Sequence, residues 1–209
     1  MYTYARALAQ LKPIQIVCQR FNSCSIDNQF RLRRAVDTDN VPLAQLNQQS
    51  FFETYVDDCD TPYSKDDIKK YFRTSVSPET FADKIADSKQ AIWIVEDKTN
   101  DEIVAFANAG PYNMPLSNVQ AENDGQFYRL YIQRDYQDYG LGHCLMKVAL
   151  SWLEKQFPGR PIWLGVWSGN LKGQEFHKKY NFHKVDERYY QVGKFKRHSF
   201  VMRRDSSSS

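Results

Sequence analysis

A chain of 209 residues with 42% hydrophobic and 14% aromatic side chains can bury one proper core and is too apolar to stay disordered. Its net charge of +3 lacks the clustered basic excess of a nucleic-acid binder, and no apolar run is long enough to cross a membrane. Cys18, Cys24, Cys59 and Cys144 form no metal-ligand pair and no dense framework; with no secretory signal visible, they read as reduced thiols in a cytoplasmic protein.

Residues 1–28 read as an N-terminal extension. They hold Arg6, Lys12 and Arg20 and no acidic residue before Asp27, a composition that would also suit a mitochondrial presequence. Residues 30–36 alternate apolar side chains with arginines, as a half-buried strand does. Asp37-Thr38-Asp39-Asn40 offers N-cap candidates for a helix through Leu43, Leu46, Phe51 and Tyr55. Asp57-Asp58-Cys59-Asp60-Thr61-Pro62 breaks that helix, and its acidic cluster is either a solvated turn or an attraction for a cationic amine. Ser64-Lys65-Asp66-Asp67 resembles a capping box with Asp in place of Glu, opening a helix with Ile68, Tyr71 and Phe72. Ser77-Pro78-Glu79 opens another, with Phe81 and Ile85 on its buried face.

Residues 91–96 and 103–109 read as a hairpin, and the Pro-, Asn- and Ser-rich stretch 110–125 as a long loop. Phe127, Tyr128, Leu130, Tyr131 and Ile132 form the next strand. Leu141, Leu145, Val148 and Trp152 then recur at helical spacing. The polar turn between them carries Gly140 and Gly142, so a strand, a glycine turn and a helix N-terminus stand in succession. The first N–H groups of such a helix have no internal partner and favour an anion, which glycines allow to approach. Residues 162–167 form a strand, 170–180 hold a short helix, and a hairpin around Gly193 closes the chain before a serine tail at 206–209.

Gln137-x-x-Gly140-x-Gly142 lacks the third glycine of a dinucleotide fingerprint and the Lys-Ser/Thr of a P-loop. It resembles the Gln/Arg-x-x-Gly-x-Gly/Ala loop of the GNAT N-acetyltransferases, and the order of elements around it is similar as well. Leu164-x-Val166-Trp167-x-x-Asn170, followed by Phe176-His177-x-x-x-Asn181-Phe182, looks like that family's Leu-x-Val and Asn-x-x-Ala-x-x-Phe-Tyr-x-x-x-Gly-Phe segments. The helical N-terminal half, Leu130-Tyr131-Ile132 and Val192-Gly193 are similar to the branch named after the polyamine acetyltransferase PaiA.

The resemblance implies an α+β, three-layer α/β/α fold over residues 29–205, with a mixed, mostly antiparallel sheet splayed at the acetyl-CoA site. It implies acetyl-CoA as cosubstrate and no metal. The acceptor would be the primary amine of a small, polyamine-like molecule, attacking the thioester directly in a ternary complex. No nucleic acid or membrane partner is implied, and the protein would be a monomer or homodimer. Leu130, Tyr131 and Ile132 would pair with pantetheine, and Asn170 would contact it too. Gln137, Asp138, Tyr139, Gly140, Leu141, Gly142 and His143 would surround the pyrophosphate. Acetylation of a peptide or protein amine is the enzymatic alternative; acetyl-CoA binding without turnover is the other.

Three positions depart from the family pattern. His177 stands where the family has the Tyr that protonates the leaving thiolate and is the candidate catalytic acid; an imidazolium could donate that proton, a neutral ring less readily, and an ordinary His loses its proton near pH ~6.5. Gln126 replaces a common Glu and cannot act as a base. Asn181 replaces Gly, which Asn can do in left-handed backbone. Lys194, Lys196, Arg197, His198, Arg203 and Arg204 read as a solvated face. Tyr136 and Tyr139 read as loop packing, with Tyr139 a distant alternative to His177 as the acid.

Overall fold

The computed structural model describes residues 27–57, 63–115 and 123–206. The extension up to residue 26, the acidic turn at 58–62 and the end of the serine tail lie outside these. Among the described residues the order is β1 (Phe30–Arg34), α1 (Asn40–Phe51), α2 (Lys65–Ser75), α3 (Pro78–Ala86), β2 (Ala91–Asp97), β3 (Glu102–Pro111) and β4 (Gly125–Ile132). Then follow α4 (Leu141–Gln156), β5 (Ile162–Trp167), α5 (Leu171–Lys178), β6 (His183–Val192) and β7 (Phe195–Arg204).

The strands form one seven-stranded sheet in the order β1-β2-β3-β4-β5-β7-β6, antiparallel except where β4 and β5 run parallel. Helices cover both faces. Trp93, Val95, Ala105, Ala107 and Phe127 pack with Leu145, Met146 and Leu153 of α4 on one side. On the other, Ile92, Ile94 and Phe106 pack with Leu43 of α1 and Phe81 of α3. Each large aliphatic side chain removed from water in these two layers contributes roughly 1.5–3 kcal/mol. Every residue of β2 is buried, which is why its sequence is a continuous apolar run rather than an alternation. This is the expected three-layer fold. Among the described residues no helix is long and apolar enough to cross a membrane.

Local signals fare unevenly. Ser64 and Ser77 cap α2 and α3, accepting from Asp67 N and Thr80 N. The Asp67 carboxylate, however, does not complete a capping box; it reaches the β6–β7 turn and accepts from Lys194 N at 3.4 Å. Asp39 precedes α1 without a side-chain cap bond. Its carboxylate accepts instead from Val36 N and from the guanidinium of Arg33, which also pairs with Glu96 on β2. After α1 the chain continues as a π-helical turn, Phe52–Asp57. Cys144, buried in α4, is disulfide-bonded, unlike the reduced thiol expected; its partner lies outside the described residues.

One irregularity organises the centre of the sheet. Asn108 of β3 pairs with Arg129 and Ala109 with Phe127, so Tyr128 is an extra residue, a bulge in β4. A bulge bends its strand. The β4–β5 ladder ends at that point, after Phe127↔Leu164.

Candidate active site

Beyond Phe127 the second half of β4 pairs with β3 alone, through Ala107↔Leu130, Phe106↔Tyr131 and Ala105↔Ile132. The backbone groups of these residues that face β5 therefore have no ladder partner. The β4–β5 pairing stops at Phe127 and Leu164, and from there to the end of β4 the two strands are parted. That end leads into the glycine turn.

The turn is built from left-handed residues. Asp138 has φ 68° and Gly140, the N-cap of α4, φ 76°. Nothing lies within 4 Å of where a Cβ on Gly140 would stand. The N–H groups of His143 and Cys144 both reach Gly140 O, while those of Leu141 and Gly142 have no hydrogen-bond partner among the described residues. These free donors at a helix N-terminus fit an anion such as a pyrophosphate. Gly142 has a different reason to be glycine. A Cβ there would stand 3.0 Å from Ile132 Cδ1, so its smallness lets α4 close onto β4.

The first turn of α5 adds a cation that sequence reasoning did not single out. Lys172 Nζ lies 3.1 Å from Gln137 Oε1 and 3.8 Å from Asp138 Oδ1, over the glycine turn. His143 is exposed; its Nδ1 lies 2.6 Å from the Tyr180 hydroxyl, and its ring lies 5.1 Å from Phe176. Tyr139 packs edge-on against Phe30 of β1 at 5.6 Å. It packs within the turn against the outer strand and stays more than half exposed.

Asn170 is the N-cap of α5. Its Oδ1 accepts from Gly173 N at 2.8 Å, leaving the amide N–H groups for other partners. Asn181 adopts the expected left-handed backbone, φ 63°. Gln126 is buried and accepts from Asn113 N at 2.9 Å, so it ties down the start of the loop after β3.

His177, in the last turn of α5, lies among the rings of Phe127, Phe176 and Phe182, at centroid distances of 6.4, 5.6 and 6.0 Å. Its Nδ1 is buried without a partner among the described residues. Burial pushes its pKa down to about 4, because an apolar surround disfavours the charged ring. The imidazole is therefore neutral at pH 7, and the expectation of an imidazolium losing its proton near pH ~6.5 does not hold.

The opposite face of the sheet forms the other wall. Tyr131 packs on Phe106 at 5.5 Å and interacts with Tyr55, Tyr71, Tyr190 and Arg129. Tyr190 of β6 meets Tyr71 of α2 at 6.4 Å. Burial first, then the neighbouring phenols, push both the Tyr131 and the Tyr190 hydroxyls far above their usual range. Arg197 is 6% exposed, with its guanidinium 3.5 Å from the Tyr55 ring centroid. The closing hairpin is thus not a uniformly solvated face: Lys194 and Lys196 are exposed, whereas Arg197 points into this aromatic cluster. Nothing local in the sequence marks that inward turn.

Among the described residues no group of three metal-ligating side chains occurs. Residues 49–182 match the acetyltransferase (GNAT) family. An uncharacterized N-acetyltransferase of Lactobacillus delbrueckii subsp. lactis is 21% identical over 156 residues, 73% of this chain and 86% of that protein. The fold is similar to PaiA N-acetyltransferase from Thermoplasma acidophilum, solved with coenzyme A: TM-score 0.64, 20% identity, 84% of this chain and 98% of that one. It is also similar to the ribosomal-protein-S18-alanine N-acetyltransferase of Escherichia coli, with TM-score 0.58, 18% identity, and 86% and 96% covered. With the family matched across the parted strands, the glycine turn and α5, this chain belongs to the acetyltransferase (GNAT) family and is an acetyl-CoA-dependent N-acetyltransferase.

Proposed function

We propose that the protein acetylates the primary amine of a small molecule by direct attack, with acetyl-CoA and amine held together in one ternary complex. One observation carries this reading: β4–β5 pairing ends at Phe127 and Leu164, and the unpaired rest of β4 leads into a left-handed glycine turn. The unpaired backbone of Leu130, Tyr131 and Ile132 suits the pantetheine amides, as an added strand would. The free N–H groups of Leu141 and Gly142, with Gln137, Asp138, Tyr139, Gly140 and His143 around them, suit the pyrophosphate, and Lys172 adds positive charge. Asn170 takes part through its amide N–H groups, since its carbonyl caps α5.

Acetyl-CoA supplies the activated acyl group. The chain's own contribution is to hold the amine against it, exclude water and aim backbone N–H groups at the carbonyl. His177 enters as a neutral imidazole in the last turn of α5, offering hydrogen bonding rather than a charged acid.

The polyamine expectation rests on the resemblance to the PaiA branch and on acidic residues between the early helices, Asp57, Asp58, Asp60 and Glu53. Of these only Glu53 has a described side chain, and its carboxylate accepts from the Gln49 amide at 2.9 Å. Of the two similar structures, the Escherichia coli enzyme is named for a ribosomal-protein alanine and the PaiA enzyme for no acceptor, and a likeness at 18–20% identity shows the fold without choosing an acceptor. Release of free thiol from acetyl-CoA, measured with small primary amines and with peptides, tests the proposal. The expected result is turnover of at least one small amine. Turnover of peptides alone would overturn the small-molecule reading, and release no faster than amine-free hydrolysis would overturn transfer.

A further inference from the structure

The face of the cleft opposite α4 carries guanidinium groups that have no ion-pair partner among the described residues. These are Arg129, Arg188 and Arg197; Lys84 stands beside Arg129, and Asp124, just before β4, and Asp186 of β6 act on Tyr112. Arg129 interacts with both Tyr131 and Tyr190, and Arg188 with Tyr190 and Tyr112. Arg129 donates to Ser75 O at 3.4 Å; no carboxylate pairs with any of the three arginines among the described residues.

Arg188 is the most suggestive of them. It reaches from β6 over β5, where its Nη2 ends 3.7 Å from the position of a Cβ on Gly165, near Met114 Sδ. Gly165 is exposed and directly follows Leu164, the last β5 residue paired with β4. The guanidinium therefore stands beside the point where β4 and β5 part. Its Nε is buried with no partner among the described residues, and so is the Tyr112 hydroxyl. Arg197 has the same deficit at Nη1. In the ladder Arg188 faces Ser199 and Tyr190 faces Arg197, which makes the two arginines diagonal neighbours, roughly 7–8 Å apart along the sheet.

Buried donors without acceptors are rare and costly, and a buried cation without an anion more so. Water could satisfy the hydrogen bonds but would leave the charges unpaired. A planar guanidinium matches a carboxylate, through two parallel N–H···O bonds. The surrounding Tyr131, Tyr190 and Met114 suit an apolar body on the same molecule. A polycation would instead meet three arginines that have no carboxylate partner among the described residues.

We propose that the acceptor is an amino-acid-like amine whose carboxylate is held by Arg188, with the Tyr112 hydroxyl and the charge of Arg197 in support. This rests on the N-acetyltransferase reading given above. Matched acceptors that differ only in the carboxylate test it: phenylalanine against phenethylamine, leucine against isoamylamine, and lysine against cadaverine, with spermidine and O-phosphoethanolamine alongside. Each is measured by thiol release and by calorimetric titration of the CoA-loaded protein. The carboxylated member of at least one pair is expected to bind and react at least about tenfold better than its partner. Arg188→Gln is expected to erase that difference while acetyl-CoA affinity stays unchanged. The pairs on the wild-type protein decide the matter even if the variant fails to fold. Equal behaviour within every pair, absence of binding by every carboxylated member, or a preference for spermidine or O-phosphoethanolamine overturns the carboxylate while leaving acetyl transfer intact. Carboxylate-selective binding without thiol release would support this site and sink the small-amine transfer reading instead.

Discussion

Ile132 Cδ1 lies 3.0 Å from where a Cβ on Gly142 would stand, so the last residue of β4 and the second residue of α4 meet at the closest approach their backbones allow. The two glycines of one motif therefore answer to different constraints. Gly142→Ala should force Ile132 aside and cost about 1–3 kcal/mol as overpacking. Gly140→Ala should cost about 1–2 kcal/mol through its left-handed backbone, with no clash. Urea unfolding of both variants separates the causes: pairing Gly142→Ala with Ile132→Val should restore part of the loss, whereas Gly140→Ala should gain nothing from it.

Placing a carboxylate at position 140 addresses the anion site directly. Gly140→Asp is expected to weaken acetyl-CoA binding well beyond Gly140→Ala, because the added charge points into open space in front of α4. Equal affinities for the two variants, measured by calorimetry, would place the pyrophosphate elsewhere.

Lys172 should act through charge alone, since its partners on the turn are exposed. Lys172→Glu is expected to lower acetyl-CoA affinity several-fold at low ionic strength, with the difference shrinking as salt screens it. A loss that ignores salt would mean that the lysine acts by packing.

The neutral state of His177 makes an acid-limb prediction. Its folded pKa, about 4, lies below the ordinary ~6.5, so the unfolded chain takes up the proton more readily. Stability from this group is complete above pH ~6.5 and is lost as pH falls towards 4, by up to about 3 kcal/mol. His177→Phe should flatten that limb between pH 7 and 4. For turnover, a neutral imidazole predicts no acid-side optimum, so wild type and His177→Tyr should share one profile from pH 6 to 8. An optimum near pH 6 that His177→Tyr abolishes would show that the ring titrates in the active complex.

Arg33 joins Asp39 to Glu96 across β1 and β2. Burial alone would raise the Asp39 carboxyl, but hydrogen bonds from Arg33 and from Val36 N hold it below the usual carboxylate range. Its stabilising effect is present above the ordinary Asp value and is lost as pH falls through the depressed one. Asp39→Asn should cost about 1–2 kcal/mol at pH 7, and the difference from wild type should narrow in acid.

Much of the architecture is written locally. Ser64 and Ser77 announce their helices because a side-chain oxygen three residues before an unsatisfied N–H is a contact within one turn. The Gly140 turn and the left-handed Asn181 are legible for the same reason: a positive φ is a property of one residue. What tertiary structure alone decided are meetings between residues far apart in the chain. Asp39 has every feature of a cap, yet its carboxylate is taken by Arg33. Arg197 reads as one more charge on an alternating strand until the strand lies against Tyr55. His177 belongs to an exposed-looking polar helix, and the rings of Phe127 and Phe182, brought from β4 and from the turn before β6, help to bury it and make it neutral. Spacing along a chain encodes which face of an element a residue occupies. Whether that face meets water, a ring or a charge depends on the partner element, and burial and pKa follow from that meeting.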